Sequence, residues 1–245
     1  MLEYHVPHKI VSGVFWVGNR EQNDPLRCNP YLLDFGEEAL LIDPGSWLDF
    51  SAVTEKILSL TDFSKIKYIV LQHQGPDACA MVPLLEEMIP HPITIITHPF
   101  NFYFLKHYGI TSSMHSIFEN NGKFILEKSG ATLEFFSTPY VPSPGNFITL
   151  FASQKILFSG NLLGWVGEEE WDLIDTRLEK IGYAEWHHLI ISDKKILKNA
   201  LEKIKAMDLE WVAPQHGSIF QGKDNISKII NRLEKINYSK DFFGE

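Results

Sequence analysis

A short apolar run at residues 68–71 stops at Gln72-His73-Gln74-Gly75-Pro76-Asp77-Ala78-Cys79, and a helix-like apolar pattern follows over 81–88. Four apolar residues are too few for a helix and the Gly-Pro pair punctuates the chain, so this stretch reads as strand, loop, helix. In α/β folds the loops leaving the carboxyl ends of strands collect the chemistry. A histidine and an aspartate four residues apart in such a loop make it the first place to look for a site.

The same alternation governs the rest of the chain. Strand patterns at 14–17, 31–35 and 39–42, the last two joined by Gly36-Glu37-Glu38 as in a hairpin, end in Asp43-Pro44-Gly45-Ser46. Apolar residues three to four apart then predict a helix over 47–60, followed by a strand at 67–71, a strand at 93–96 and a helix over 99–108. Strand patterns return at 132–136, 147–151 and 155–158 between Pro- and Gly-containing turns. A helical pattern fills 181–207, a strand at 210–213 ends in Pro214-Gln215-His216-Gly217, and Asp224 is placed to cap a last helix. Two successive halves of this kind predict an α/β fold, two sheets face to face with helices outside, an αββα sandwich forming one domain over residues 1–245. Residues 109–130 are the least regular and are expected to be an excursion over the site.

With 245 residues and 44% hydrophobic content the chain can bury a large core. A formal net charge of -9 argues against nucleic acid or an anionic membrane as partner, and the acidic run Glu168-Glu169-Glu170 reads as solvated surface. No stretch approaches the roughly 18 apolar residues of a membrane span, and the first ten residues lack signal-peptide character, so the expected location is cytoplasmic. Cys28 and Cys79 are the only cysteines. A disulfide framework is out of reach, and both thiols are expected to be reduced and structural.

Iron and divalent cations need several imidazoles or carboxylates converging from different strand ends. His73, Asp77 and His216 are candidates if the fold brings their loops together. Here the chain resembles the metallo-β-lactamase superfamily, and within it the oxygen-binding di-iron proteins related to flavodiiron cores. Five landmarks carry the resemblance in order: Leu41-Ile42-Asp43-Pro44-Gly45, the His73 loop, residues 138–147, Leu157-Phe158-Ser159-Gly160-Asn161, and Ala213-Pro214-Gln215-His216-Gly217.

The resemblance implies a di-iron domain that binds, reduces or senses dioxygen, and a head-to-tail homodimer. The family's first loop reads HxHxDH or HxExDH, and here Gly75 and Ala78 stand at two ligand positions. Pro142 stands near a third, and Asn161 replaces the bridging aspartate. By the family pattern His73 belongs to one metal while Asp77 and His216 belong to the other. Loss of the bridging carboxylate removes the charge that would hold two cations together. The expectation is therefore a sensor or regulatory module with an incomplete metal site, holding either no metal or one iron or zinc ion on His73, Asp77 and His216. The alternatives are a weak mononuclear metalloenzyme on those three residues and a non-catalytic dimeric scaffold. No flavodoxin-like FMN domain is seen in the sequence.

Gly75, Ala78, Cys79, Pro142, Asn161 and Trp165 are expected to line the pocket. Cys79 is read as a buried core residue over a thiolate ligand. His187 and His188 are adjacent on a helix and cannot share one ion, so packing roles are expected for both, the alternative being that one of them reaches the pocket. Trp165 and Trp171 flank the segment after Asn161 and are expected near the pocket or in the core. His98, His107 and His115 are read as structural, His107 facing solvent.

Overall fold

The computed structural model describes residues 4–20, 26–167, 172–175 and 182–236. Glu168, Glu169, Glu170 and Trp171 lie outside these residues. The chain begins with antiparallel strands β1 (His8–Val11), β2 (Val14–Trp16), β3 (Tyr31–Asp34) and β4 (Ala39–Ile42). Helix α1 (Phe50–Leu60) leads to β5 (Ile66–Leu71), which pairs parallel with β4. Two short helices, α2 (Pro76–Cys79) and α3 (Val82–Met88), precede β6 (Thr94–Thr97). The helix expected over 99–108 is instead one α-turn, α4 (Phe102–Leu105), between two 3-10 segments.

Residues 109–130 are not an excursion over the site. They add β7 (Ser113–Ser116) to the edge of the first sheet, parallel to β6, and then cross to start the second sheet at β8 (Lys123–Ile125). The second sheet continues with β9 (Thr132–Ser137), β10 (Phe147–Phe151), β11 (Ile156–Gly160) and β12 (Ile174–Asp175). Helices α5 (Gly182–Ile190) and α6 (Lys194–Lys205) divide the long helical pattern, because Asp193 caps α6 through the Lys195 N–H. Strands β13 (Trp211–Pro214) and β14 (Ile219–Gln221) and helix α7 (Lys223–Glu234) complete the order. Gly222 is the residue before α7, so Asp224 stands in its first turn and not at its cap.

Among the described residues there are two sheets of seven strands each, ordered β1-β2-β3-β4-β5-β6-β7 and β12-β14-β13-β11-β10-β9-β8. Period-2 alternation explains how they stack. Along β3, β4 and β5 the residues Tyr31, Leu33, Leu40, Ile42, Tyr68 and Val70 join the core shared with Phe147, Ile148 and Phe158 of the second sheet. Their neighbours Leu32, Leu41, Ile69 and Leu71 instead pack with Val53 and Ile57 of α1 and Val82 and Leu85 of α3. On the far side Leu197, Leu201 and Ile204 of α6 and Ile226, Ile229 and Leu233 of α7 cover the second sheet. The result is the expected αββα sandwich, tied across its middle by ring contacts such as Tyr31 with Phe158, centroids 5.1 Å apart. No helix among the described residues is long and apolar enough to cross a membrane.

Candidate functional site

The carboxyl ends of β4, β5, β11 and β13 bring the site together, and Asp43 makes the first joint. It follows β4 in left-handed backbone (φ 44), which aspartate tolerates better than most residues. Its N–H donates to the Val70 carbonyl, and its carboxylate accepts from the Gln72 N–H at 2.8 Å and from Gln72 Nε2 at 3.0 Å. The Gln72 carbonyl in turn accepts from the Phe147 N–H of the second sheet. Burial pushes the Asp43 carboxyl up to about 6 despite the Gln72 hydrogen bonds.

His73 is buried just beyond. Its Nδ1 accepts the Gly75 N–H at 2.9 Å, so its proton sits on Nε2, which donates to Gln215 Oε1 at 2.6 Å. Gly75 has to be glycine for this arrangement. A Cβ there would lie 2.3 Å from Asp77 Oδ1 and 2.5 Å from His73 Cε1.

Asp77 Oδ2 accepts from Gln215 Nε2 at 3.0 Å and from His216 Nε2 at 3.1 Å. Burial acts to raise the Asp77 pKa, yet the hydrogen bond from His216, with the His73 and His216 imidazoles close by, holds it far below the usual carboxylate range. The other His216 nitrogen, Nδ1, faces the Arg27 carbonyl at 2.7 Å. Each His216 nitrogen thus faces an acceptor, Asp77 Oδ2 on one side and the Arg27 carbonyl on the other.

Gln215 sits at the centre of the group and is 1% exposed. Its Oε1 takes a second hydrogen bond from Asn161 Nδ2 at 3.0 Å. One amide thus joins His73, Asp77 and Asn161 from three separate loops. Asn29 fixes the backbone behind it: Nδ2 donates to the Pro214 and Gly217 carbonyls at 3.0 and 2.7 Å, and Oδ1 accepts from Trp16 Nε1. The Trp186 indole stands edge-on to His216, 5.4 Å between centroids, and donates to the Asn161 carbonyl.

The structure therefore brings His73, Asp77, Asn161 and His216 together, and around them places Gln215, Asn29 and Trp186, which sequence reasoning did not single out. Gln215 stood inside a quoted motif, and an amide beside a ligand histidine in a strand-end turn was the available signal. Asn29 and Trp186 carried none.

The remaining expected lining residues have other roles. Ala78 is buried, and its carbonyl accepts from the Gly45 N–H. Cys79 Sγ lies 2.9 Å from the Gly75 carbonyl, and burial, with Asp77 and Asp43 nearby, pushes its thiol up, far from a thiolate. The Pro142 side chain is exposed; Ser143, one residue on, is the member of that turn that reaches the first loop, donating to Gln74 Oε1 at 2.8 Å. Trp165 is buried against Gly217, where a Cβ would come within 2.3 Å of the indole. His187 is fully buried: Nδ1 donates to the Tyr183 carbonyl, and Nε2 accepts the Leu163 N–H at 3.0 Å just after Asn161. Burial brings its pKa down to about 4, so it is neutral. His98 caps its own turn through the Phe100 N–H, and His107 is exposed.

These donors do not fit a di-iron centre. Positions 75 and 78 offer no side-chain ligand, and Asn161 presents an N–H to the centre. The His73 nitrogen facing inward carries a proton, because the Gly75 N–H already claims the other. His216 alone has the partner arrangement of a metal-binding imidazole, with Nδ1–H on a carbonyl. Among the described residues no three His, Cys, Asp or Glu side chains form a metal-holding group.

The ODP family beta lactamase model matches residues 26–217. The uncharacterized protein MJ0732 of Methanocaldococcus jannaschii is 27% identical over 93% of this chain and 60% of its own length. Flavo-diiron protein FprA2 of Clostridium acetobutylicum is 26% identical over 78% of this chain and 48% of its own. The chain spans about half the length of the curated relatives it matches. Two solved structures share the fold: the flavodiiron protein from Giardia intestinalis (TM-score 0.79, 19% identity, 96% of this chain, 60% of that one) and a peroxy diiron species of chemotaxis sensor ODP (TM-score 0.77, 22% identity, 95% of each chain).

Proposed function

Because the chain belongs to the ODP family of beta-lactamase-like domains, we propose that it is a sensor-type or regulatory member of that family which works without a two-iron centre and does not hydrolyse substrates. One observation carries this reading: the Gln215 amide fills the meeting point of His73, Asp77 and Asn161 with matched hydrogen bonds. A metallo-hydrolase needs a cation to bring the pKa of bound water toward about 7, and this donor set is satisfied by protons and amides instead. The likeness in fold to a chemotaxis sensor, together with the family match, supports the sensor class. A homodimer is the assembly that goes with this reading.

A competing reading keeps one cation on His73, Asp77 and His216, favoured by the Nδ1–H of His216 on the Arg27 carbonyl. Anaerobic loading with ferrous iron, desalting and mass-spectrometric metal counting, with sedimentation for the assembly, separates the two. The proposal expects no stoichiometric iron. About two equivalents per chain would sink it, and about one, lost in both His73→Ala and His216→Ala, would install the competitor.

A further inference from the structure

Gln215 presents two different faces to the centre. Its Nε2–H directs partial positive charge at Asp77 Oδ2, the carboxylate oxygen that also takes the His216 proton. Its Oε1 accepts from His73 Nε2 and Asn161 Nδ2, two N–H groups that would repel a cation. The side chain is thus a donor where a cation would meet Asp77 and an acceptor where no cation belongs. A divalent ion entering here would have to displace the Nε2–H from Asp77, strip the proton from His216 and orphan buried groups whose loss costs more than the hydrogen bonds themselves are worth.

We propose that the Gln215 amide excludes divalent cations from this centre and joins the loops after β5, β11 and β13 in their place, so that Gln215→Glu alone converts the centre into a site for one divalent cation. The new carboxylate would keep one oxygen on His73 and Asn161 and set the other opposite Asp77. That places two carboxylates and the His216 imidazole around one point, a set suited to zinc, cobalt or iron. The inference rests on the functional reading above, since both take the di-iron centre to be lost.

The test uses Co2+ on the full chain, followed by visible absorption and by metal counting after desalting. Wild type is expected to retain only a trace. Gln215→Glu should bind about one equivalent, roughly 10- to 100-fold tighter or more, and lose it when His216→Ala is added. Its thermal midpoint should rise with Co2+, which that of wild type does not. Gln215→Met, neutral and unable to hydrogen-bond as the amide does, should bind none. Imidazole 1H–15N spectra of wild type should show His73 protonated at Nε2, unchanged by Zn2+.

Wild type retaining one equivalent of Co2+, a folded Gln215→Glu that binds none, or a His73 proton on Nδ1 would each overturn the inference. Should Gln215→Glu not fold, the wild-type spectrum and metal count decide it. Two irons in wild type would defeat the functional reading as well, whereas a folded but metal-free Gln215→Glu defeats this inference and leaves that reading standing.

Discussion

Asp43→Asn should stabilise this protein at neutral pH, against the usual trend for a buried substitution. Asp43 is 1% exposed, and moving its pKa from 3.8 to about 6 disfavours the ionised folded state by about 3 kcal/mol at pH 7. Because the folded pKa is raised, the unfolded chain gives up its proton first. Stability from this group is therefore greatest below pH 3.8 and falls as pH rises through about 6. Asparagine removes the charge and suits left-handed backbone. Its Nδ2 can donate to Gln72 Oε1, a buried oxygen now lacking a partner, once the Gln72 amide turns over. The gain is expected to approach 3 kcal/mol at pH 7 and to vanish near pH 4.

His187 has the opposite sign over nearly the same range. Its folded pKa is depressed from 6.5 to about 4, so the unfolded chain takes up the proton first and stability is lost as pH falls between those values, by about 3 kcal/mol. In the wild type the two slopes largely cancel. Urea unfolding from pH 4 to 7 should then show a shallow profile for wild type and a steep acid-side loss for Asp43→Asn, with the m-value unchanged. An Asp43→Asn protein destabilised at pH 7, or shifted equally at pH 4 and 7, would show that Asp43 is not an ionised group held against its burial.

Gly75→Ala meets no torsional penalty at φ -64, yet its methyl would sit 2.3 Å from Asp77 Oδ1; a loss of about 1–3 kcal/mol in urea unfolding is expected. Asn29→Ala orphans Trp16 Nε1 and the Gly217 carbonyl while the residue 29 N–H keeps its bond to the Gln215 carbonyl; about 1–3 kcal/mol should be lost in urea unfolding, and wild-type stability would mean that the backbone bond alone holds the loop. His216→Ala takes the imidazole hydrogen bond from the buried Asp77 carboxylate and leaves its Oδ2 with Gln215 Nε2 and, at 3.8 Å, His73, costing about 3 kcal/mol at pH 7. Since the folded Asp77 pKa is depressed, that contribution is present above the unfolded value of 3.8 and fades as pH falls below it, so the cost should shrink in acid. Nuclear magnetic resonance titration of Asp77 in that variant should show its pKa rising.

Much of the fold was legible because strand and helix periods are local. Leu32 beside Leu33 and Ile69 beside Val70 announce strands buried on both faces, and the Gln72–Cys79 loop marks a strand end whatever the rest of the chain does. Failures came where the tertiary context overrides local pattern. Residues 109–130 look irregular in sequence because they leave one sheet at β7 and open the other at β8, and these edge strands are only four and three residues long. The pattern over 181–207 is continuous, and only the geometry at Asp193 shows where α5 ends and α6 begins.

At the site the sequence determined which side chains are absent: glycine, alanine and asparagine at family ligand positions cannot bind as histidine or aspartate would, wherever the chain goes. It could not say what takes their place. That Gln215 meets His73, Asp77 and Asn161 depends on loops up to 142 residues apart converging at the ends of two sheets, and on Gly75 turning the His73 proton inward. Hydrogen bonds are directional and short, so only the tertiary structure decided whether these polar residues would face a cation or one another.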